Sequence, residues 1–139
     1  MDLRLGYFQP MTRIVSLFAE SEGGSTFGTK STGIPQFFLG GPLRLSAYGN
    51  NEFQGNQYYL FRAGLVRDLL TLPPFVGKKV YAVGAYEIGK MYGVTADSNL
   101  PNDVAAGLLA ETAVGPLFIG GSVGDSGHRK WFFQLGRVF

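Results

Sequence analysis

The sequence predicts an all-β chain, an antiparallel meander of about six to eight strands, and three observations carry that expectation. The first is alternation: Trp131, Phe133, Leu135, Arg137 and Phe139 fall on one side of the last segment, and Lys130, Phe132, Gln134, Gly136 and Val138 on the other. A period of two places successive side chains on opposite faces of a strand. The second is composition, with 14% aromatic residues, 16% charged residues and 21 glycines in 139 residues, which is aromatic-rich and charge-poor for a water-soluble domain. The third is the scarcity of helical periodicity, since glycine, β-branched and aromatic residues interrupt nearly every window of three turns. No apolar run reaches the roughly 18 to 20 residues of a membrane helix, so a membrane crossing by this chain has to use strands.

The clearest strands are expected at residues 57–69, 78–91, 104–113, 117–124 and 130–139, each near the roughly 9 to 11 residues of a tilted membrane strand. Residues 12–21 and 3–9 read as further strands, and 37–48 as either a strand or an ordered loop. Within 57–69, the row Tyr59, Phe61, Ala63, Leu65 is apolar throughout, whereas Tyr58, Leu60, Arg62, Gly64, Val66, Asp68 carries both charges. Within 78–91, Val80, Ala82, Gly84, Tyr86 and Ile88 form the apolar row, and Glu87 sits in the opposite one. Apolar rows facing lipid and mixed rows facing a lumen are the pattern of a membrane barrel. Arg62 and Glu87 are then lumen charges, able to pair if their strands are neighbours.

The connections alternate in kind. Residues 72–77 and 112–116 are short and rich in proline or glycine; 22–35, 92–101 and 125–129 are more polar and mostly longer, as the outward loops of barrels are. Neither a 20–50 residue repeat nor a linker divides the chain, so 1–139 reads as one domain.

Several chemistries are weighed and set aside. Without cysteine there are no disulfides, thiolate metal sites or cysteine nucleophiles. A single histidine builds no zinc site, and Asp97, Asp103 and Asp125 lack calcium-loop spacing, so neither metal nor cofactor is expected. The net charge of +2 is scattered, which argues against nucleic-acid binding. Gly120-Gly121-Ser122-Val123-Gly124 fits the serine-hydrolase elbow, with Asp125 and His128 close behind. An elbow needs a helix after its serine, whereas a turn and another strand are expected here, so catalysis by Ser122 is the lesser reading. The opening Met1-Asp2-Leu3-Arg4-Leu5 lacks an export signal, which an outer-membrane protein requires.

The most informative constellation is Phe38-Leu39-Gly40-Gly41-Pro42-Leu43-Arg44-Leu45-Ser46-Ala47-Tyr48, followed by Asn51-Glu52-Phe53-Gln54-Gly55-Asn56. With Tyr86-Glu87-Ile88-Gly89, Gly115-Pro116-Leu117 and the closing Leu135-Gly136-Arg137-Val138-Phe139, it resembles the bacterial surface-antigen barrel at the C-terminus of patatin-like outer-membrane phospholipases, within the superfamily of barrel-assembly and two-partner-secretion pores. The likeness runs over about 37–139. The family's double glycine, Leu-Ser-Gly-Tyr, acid and glycine correspond to Gly40, Gly41, Leu45, Ser46, Ala47, Tyr48, Glu52 and Gly55, with Ala47 departing where glycine is usual.

The resemblance implies the C-terminal part of an outer-membrane β-barrel, a non-catalytic anchor or translocator module in the bacterial outer membrane, with outer-membrane lipids and the barrel-assembly machinery as partners. Phe139 would be the assembly signal. In the assembly and secretion pores, an arginine of the corresponding loop folds into the lumen onto acids of the wall. Ser46 takes that arginine's place here, so Arg44 and Tyr48 become the candidates for lumen contacts. Six to eight strands are too few for the family's barrel of about sixteen. The chain is therefore expected to be a fragment of a longer protein, a homo-oligomer, or a minimal barrel, the first being favoured. A soluble lipocalin-like ligand-binding barrel, with apolar rows facing a cavity, and an esterase using Ser122 remain the alternatives.

Overall fold

The computed structural model describes residues 2–26, 37–92 and 100–136. Seven long strands form one antiparallel sheet: β1 (Asp2–Pro10), β2 (Val15–Ser25), β5 (Gln57–Thr71), β6 (Gly77–Tyr92), β7 (Asn102–Thr112), β8 (Gly115–Gly124) and β9 (Arg129–Leu135). They follow one another in the order β1-β2-β5-β6-β7-β8-β9. Two short strands, β3 (Phe37–Leu39) and β4 (Phe53–Gly55), pair as a separate ribbon between β2 and β5. Among the described residues β1 pairs only with β2 and β9 only with β8, and the sheet is not closed.

The expected strands are present with shifted ends. Residues 37–48 divide, since only 37–39 are strand and the chain from Gly40 to Glu52 is loop. β2 runs to Ser25 rather than ending at 21, because Glu22, Gly23 and Gly24 pair with Leu60, Tyr59 and Tyr58 of β5. The Glu22 carboxylate is accommodated in the strand because Tyr58 donates its hydroxyl to Oε1 at 2.7 Å and Arg44 donates Nη2 at 2.9 Å. β9 ends at Leu135, and Phe139 lies outside the described residues, as does Asp97.

Three short connections lie at one end of the sheet, and the β8–β9 turn, residues 125–128, lies at the other. Residues 11–14 join β1 to β2, 72–76 join β5 to β6, and Ala113 and Val114 alone join β7 to β8. Gly115, at φ 124°, takes the positive-φ position that so tight a reversal requires.

The central strands bury one face more than the other, whereas β1 is exposed along its whole length. In β5, Tyr58, Leu60 and Arg62 are buried while Tyr59 and Phe61 are exposed. In β6, Val83, Ala85, Glu87, Gly89 and Met91 are buried on the same face. What covers that face is the loop between β3 and β4, with Leu39, Leu43, Leu45 and Ala47 at most 1% exposed. The opposite face is largely apolar and, among the described residues, uncovered, with Leu5, Tyr7, Leu65, Tyr86, Val104, Leu108, Ile119, Trp131 and Phe133 all exposed.

Candidate functional site: a loop folded onto a charged girdle

Cross-strand register builds a girdle of ionisable side chains on the covered face. Glu20 of β2 stands opposite Arg62 of β5, Arg62 opposite Glu87 of β6, and Glu87 opposite Asp103 of β7. Directly opposed residues have Cβ atoms about 4.5–5.5 Å apart, so the four form a continuous row across four strands. Arg62, Glu87 and Asp103 are at most 4% exposed.

The 40–52 loop is a compact fold of its own before it meets the girdle. Arg44 donates its N–H to the Gly41 carbonyl at 3.0 Å, Gly40 to Arg44 at 3.0 Å, Tyr48 to Leu45 at 3.1 Å and Glu52 to Gly49 at 3.1 Å. Gly40 and Gly41 have φ of 112° and 115°, a region that a side chain disfavours. Leu43 and Leu45 also have positive φ, at 56° and 66°. For non-glycine residues that conformation costs about 1–3 kcal/mol and persists only where the surroundings hold it. Here both leucines are sunk into apolar clusters, Leu43 in one that includes Phe18, Val83, Ala85 and Phe118, and Leu45 in one that includes Leu60, Tyr58 and Met91.

The tip of the loop is bonded to the wall through its backbone. Glu87 Oε2 accepts both the Ser46 N–H at 2.8 Å and the Ser46 hydroxyl at 3.0 Å, and Asp103 Oδ2 accepts the Ala47 N–H at 2.6 Å. Arg62 donates Nη1 to the Leu43 carbonyl, and its Nε reaches Glu20 Oε2 at 2.8 Å. Glu20 also pairs with Arg4 of β1. The Tyr48 ring lies 5.0 Å from those of Phe53 and His128, closing the loop toward the β8–β9 connection.

The expected site residues thus meet. Gly40 and Gly41 shape the loop, Ser46 reaches Glu87, Arg44 reaches Glu22 rather than the central acids, and Tyr48 packs against Phe53 and His128. Arg62 and Glu87 lie on neighbouring strands in direct register. Ala47 fits because Gly124 faces it: a Cβ at Gly124 would sit 2.8 Å from that of Ala47. Glu20 and Glu22 are not placed in the site by the sequence alone, and Asp103 is weighed there only as a calcium ligand. Alternation from Phe18 places both glutamates on the Phe18 face, a signal that was available; Asp103 lies beyond a long connection that hides its register.

Ser122 is 4% exposed in mid-strand, opposite Ala105, and its hydroxyl has no hydrogen-bond partner among the described residues. The chain after β8 makes a three-residue 3₁₀ turn, Asp125–Gly127, and His128 Nδ1 lies 2.9 Å from the Asp125 carbonyl. Ser122, Asp125 and His128 therefore form no hydrogen-bonded triad.

Compared with known proteins, the chain matches no family model, and no curated protein or solved structure matches it at a significant level.

Proposed function

We propose that the chain is part of the wall of an outer-membrane β-barrel of the surface-antigen type, a non-catalytic anchor and translocator module whose 40–52 loop occupies the lumen. The observation that carries this reading is the seating of Ser46 and Ala47 on Glu87 and Asp103, a loop held by wall acids on one face of a sheet whose other face is apolar and bare. That polarity suits lipid outside and a partly filled, hydrogen-bonded lumen inside.

Dimensions support the same reading. On the bare face of β6, Lys78 and Lys90 flank Val80, Ala82, Gly84, Tyr86 and Ile88. At about 3.3 Å per residue the two lysines stand about 40 Å apart along the strand, or about 30 Å across a membrane at a tilt of about 40°. That brackets the apolar band of about 25 Å of an outer-membrane barrel. Arg67 shares this face beside Ala82, toward the end with short connections, where its stem can reach the interface.

Closure follows from parity. Seven alternating strands leave β1 and β9 running in the same direction, so joining them, within one chain or head to tail between equally oriented copies, makes a parallel seam. Antiparallel closure takes an odd number of further strands. Such strands, from beyond the seven, complete the barrel in this reading, and Phe139 directs its insertion by the assembly machinery.

A cavity of about 720 Å³ on the loop-bearing face, lined by Phe8, Phe18, Val66, Leu109 and Pro116 with Glu20 and Glu111 among them, favours the second reading, a soluble ligand-binding barrel. Leu65→Arg separates the two. Leu65 is 47% exposed midway along β5 on the bare face. In a bilayer the substitution is expected to cost about 2–4 kcal/mol; on a water-facing surface it costs about 0.5 kcal/mol or less. Urea unfolding of the two proteins in vesicles measures the difference, and a cost near zero removes the membrane reading.

A further inference from the structure

Glu87 and Asp103 oppose each other across β6 and β7, at 0% and 1% exposure, and each spends one oxygen on the loop tip. Their other oxygens, Glu87 Oε1 and Asp103 Oδ1, are buried without a hydrogen-bond partner among the described residues. Ionised carboxylates only accept, so two such oxygens side by side satisfy nothing, and opposed like charges repel. A carboxylic acid beside a carboxylate resolves both problems, because one proton makes one oxygen a donor to the other.

We propose that Glu87 and Asp103 form a buried proton-binding site, one shared proton bridging Oε1 and Oδ1, and that this proton keeps the loop tip on the wall. With the proton in place, Glu87 Oε2 and Asp103 Oδ2 stay free to hold Ser46 and Ala47. When it leaves, two negative charges on directly opposed residues in a closed site push the strands' side chains and the loop tip apart.

The charged neighbours of the pair are accounted for on each element. On the β5 side, Arg62 faces Glu87 and bonds Glu20 of β2, which Arg4 of β1 also holds. On the β8 side Gly124 stands opposite Asp103, and the uncharged Ser122, two residues earlier on that strand, stands opposite Lys130 of β9. The loop brings Arg44, engaged with Glu22, and Glu52, whose carboxylate accepts the Gly49 N–H; His128 stacks on Tyr48.

The test combines infrared spectroscopy with trypsin cleavage after Arg44, which reports loop release. At neutral pH the folded chain is expected to show a protonated-carboxyl carbonyl band that Asp103→Asn and Glu87→Gln each abolish. Cleavage after Arg44, normalised to trypsin's activity on a free peptide, is expected to rise with pH by up to about tenfold per unit once the proton leaves. It should stay slow at every pH in either amide variant, whose NH₂ group supplies a permanent donor. Absence of the band, or amide variants that follow the wild-type pH profile, overturns the proposal. Both readouts need only the folded chain, in vesicles, micelles or buffer, so their outcome is independent of the membrane reading.

Discussion

Gly40→Val is expected to release the 40–52 loop while leaving the seven-stranded sheet formed. Gly40 has φ 112°, and a β-branched residue held there costs about 1–3 kcal/mol before any contact is considered. A Cβ at this position would also land on the Gly49 carbonyl oxygen and lie 3.2 Å from the Glu52 nitrogen. The Gly40 carbonyl, which accepts the Asn51 N–H at 3.3 Å, cannot move aside without opening the loop's neck. Its register is not needed by the sheet, whose strands pair with one another and not with the loop. Far-UV circular dichroism should therefore be retained while trypsin gains access to Arg44. Retention of a protected loop in Gly40→Val would show that the positive-φ neck is dispensable.

Glu87→Ala should have the largest effect of any single wall substitution. It removes one oxygen that holds both the Ser46 N–H and the Ser46 hydroxyl, and it takes the facing charge from Arg62. A buried donor left without an acceptor costs about 1–3 kcal/mol, so two lost partners and a cavity place the expected loss at about 3–5 kcal/mol. Urea unfolding followed by Trp131 fluorescence measures it. Glu87→Gln keeps an acceptor for Ser46 and should lose far less, which separates loss of the hydrogen bonds from loss of the charge.

The strands were legible because their two faces differ so sharply. Tyr59, Phe61 and Leu65 against Tyr58, Leu60 and Arg62 is a pattern that only a half-buried strand produces, and the short turn at 112–116 marked the reversal between β7 and β8. The opposition of Arg62 and Glu87 needed only that β5 and β6 be neighbours, which the stiff turn at 72–77 made natural. The opposition of Glu87 and Asp103 was not legible, since β6 and β7 are joined by a long connection that carries no register information. The loop's inward fold depends on Leu43 and Leu45 adopting positive φ, contrary to local preference, and what stabilises that choice comes largely from distant strands, Phe18, Ala85 and Phe118 in the cluster around Leu43 and Leu60 in the cluster around Leu45. Glu22 reads as loop because it opens a polar, glycine-rich segment, yet its partners, Tyr58 and Arg44, come from elsewhere in the chain.

The central claim is that the bare face of the sheet meets lipid, and the chain's single tryptophan tests it directly. Trp131 lies on that face of β9 and is 90% exposed in the structure. With the chain folded into phospholipid vesicles, its fluorescence is expected to be quenched by lipids brominated along their acyl chains and to be shielded from acrylamide in the aqueous phase. Quenching by acrylamide without any response to the brominated lipids, in a sample whose circular dichroism shows the strands intact, would contradict the account and place this face in water.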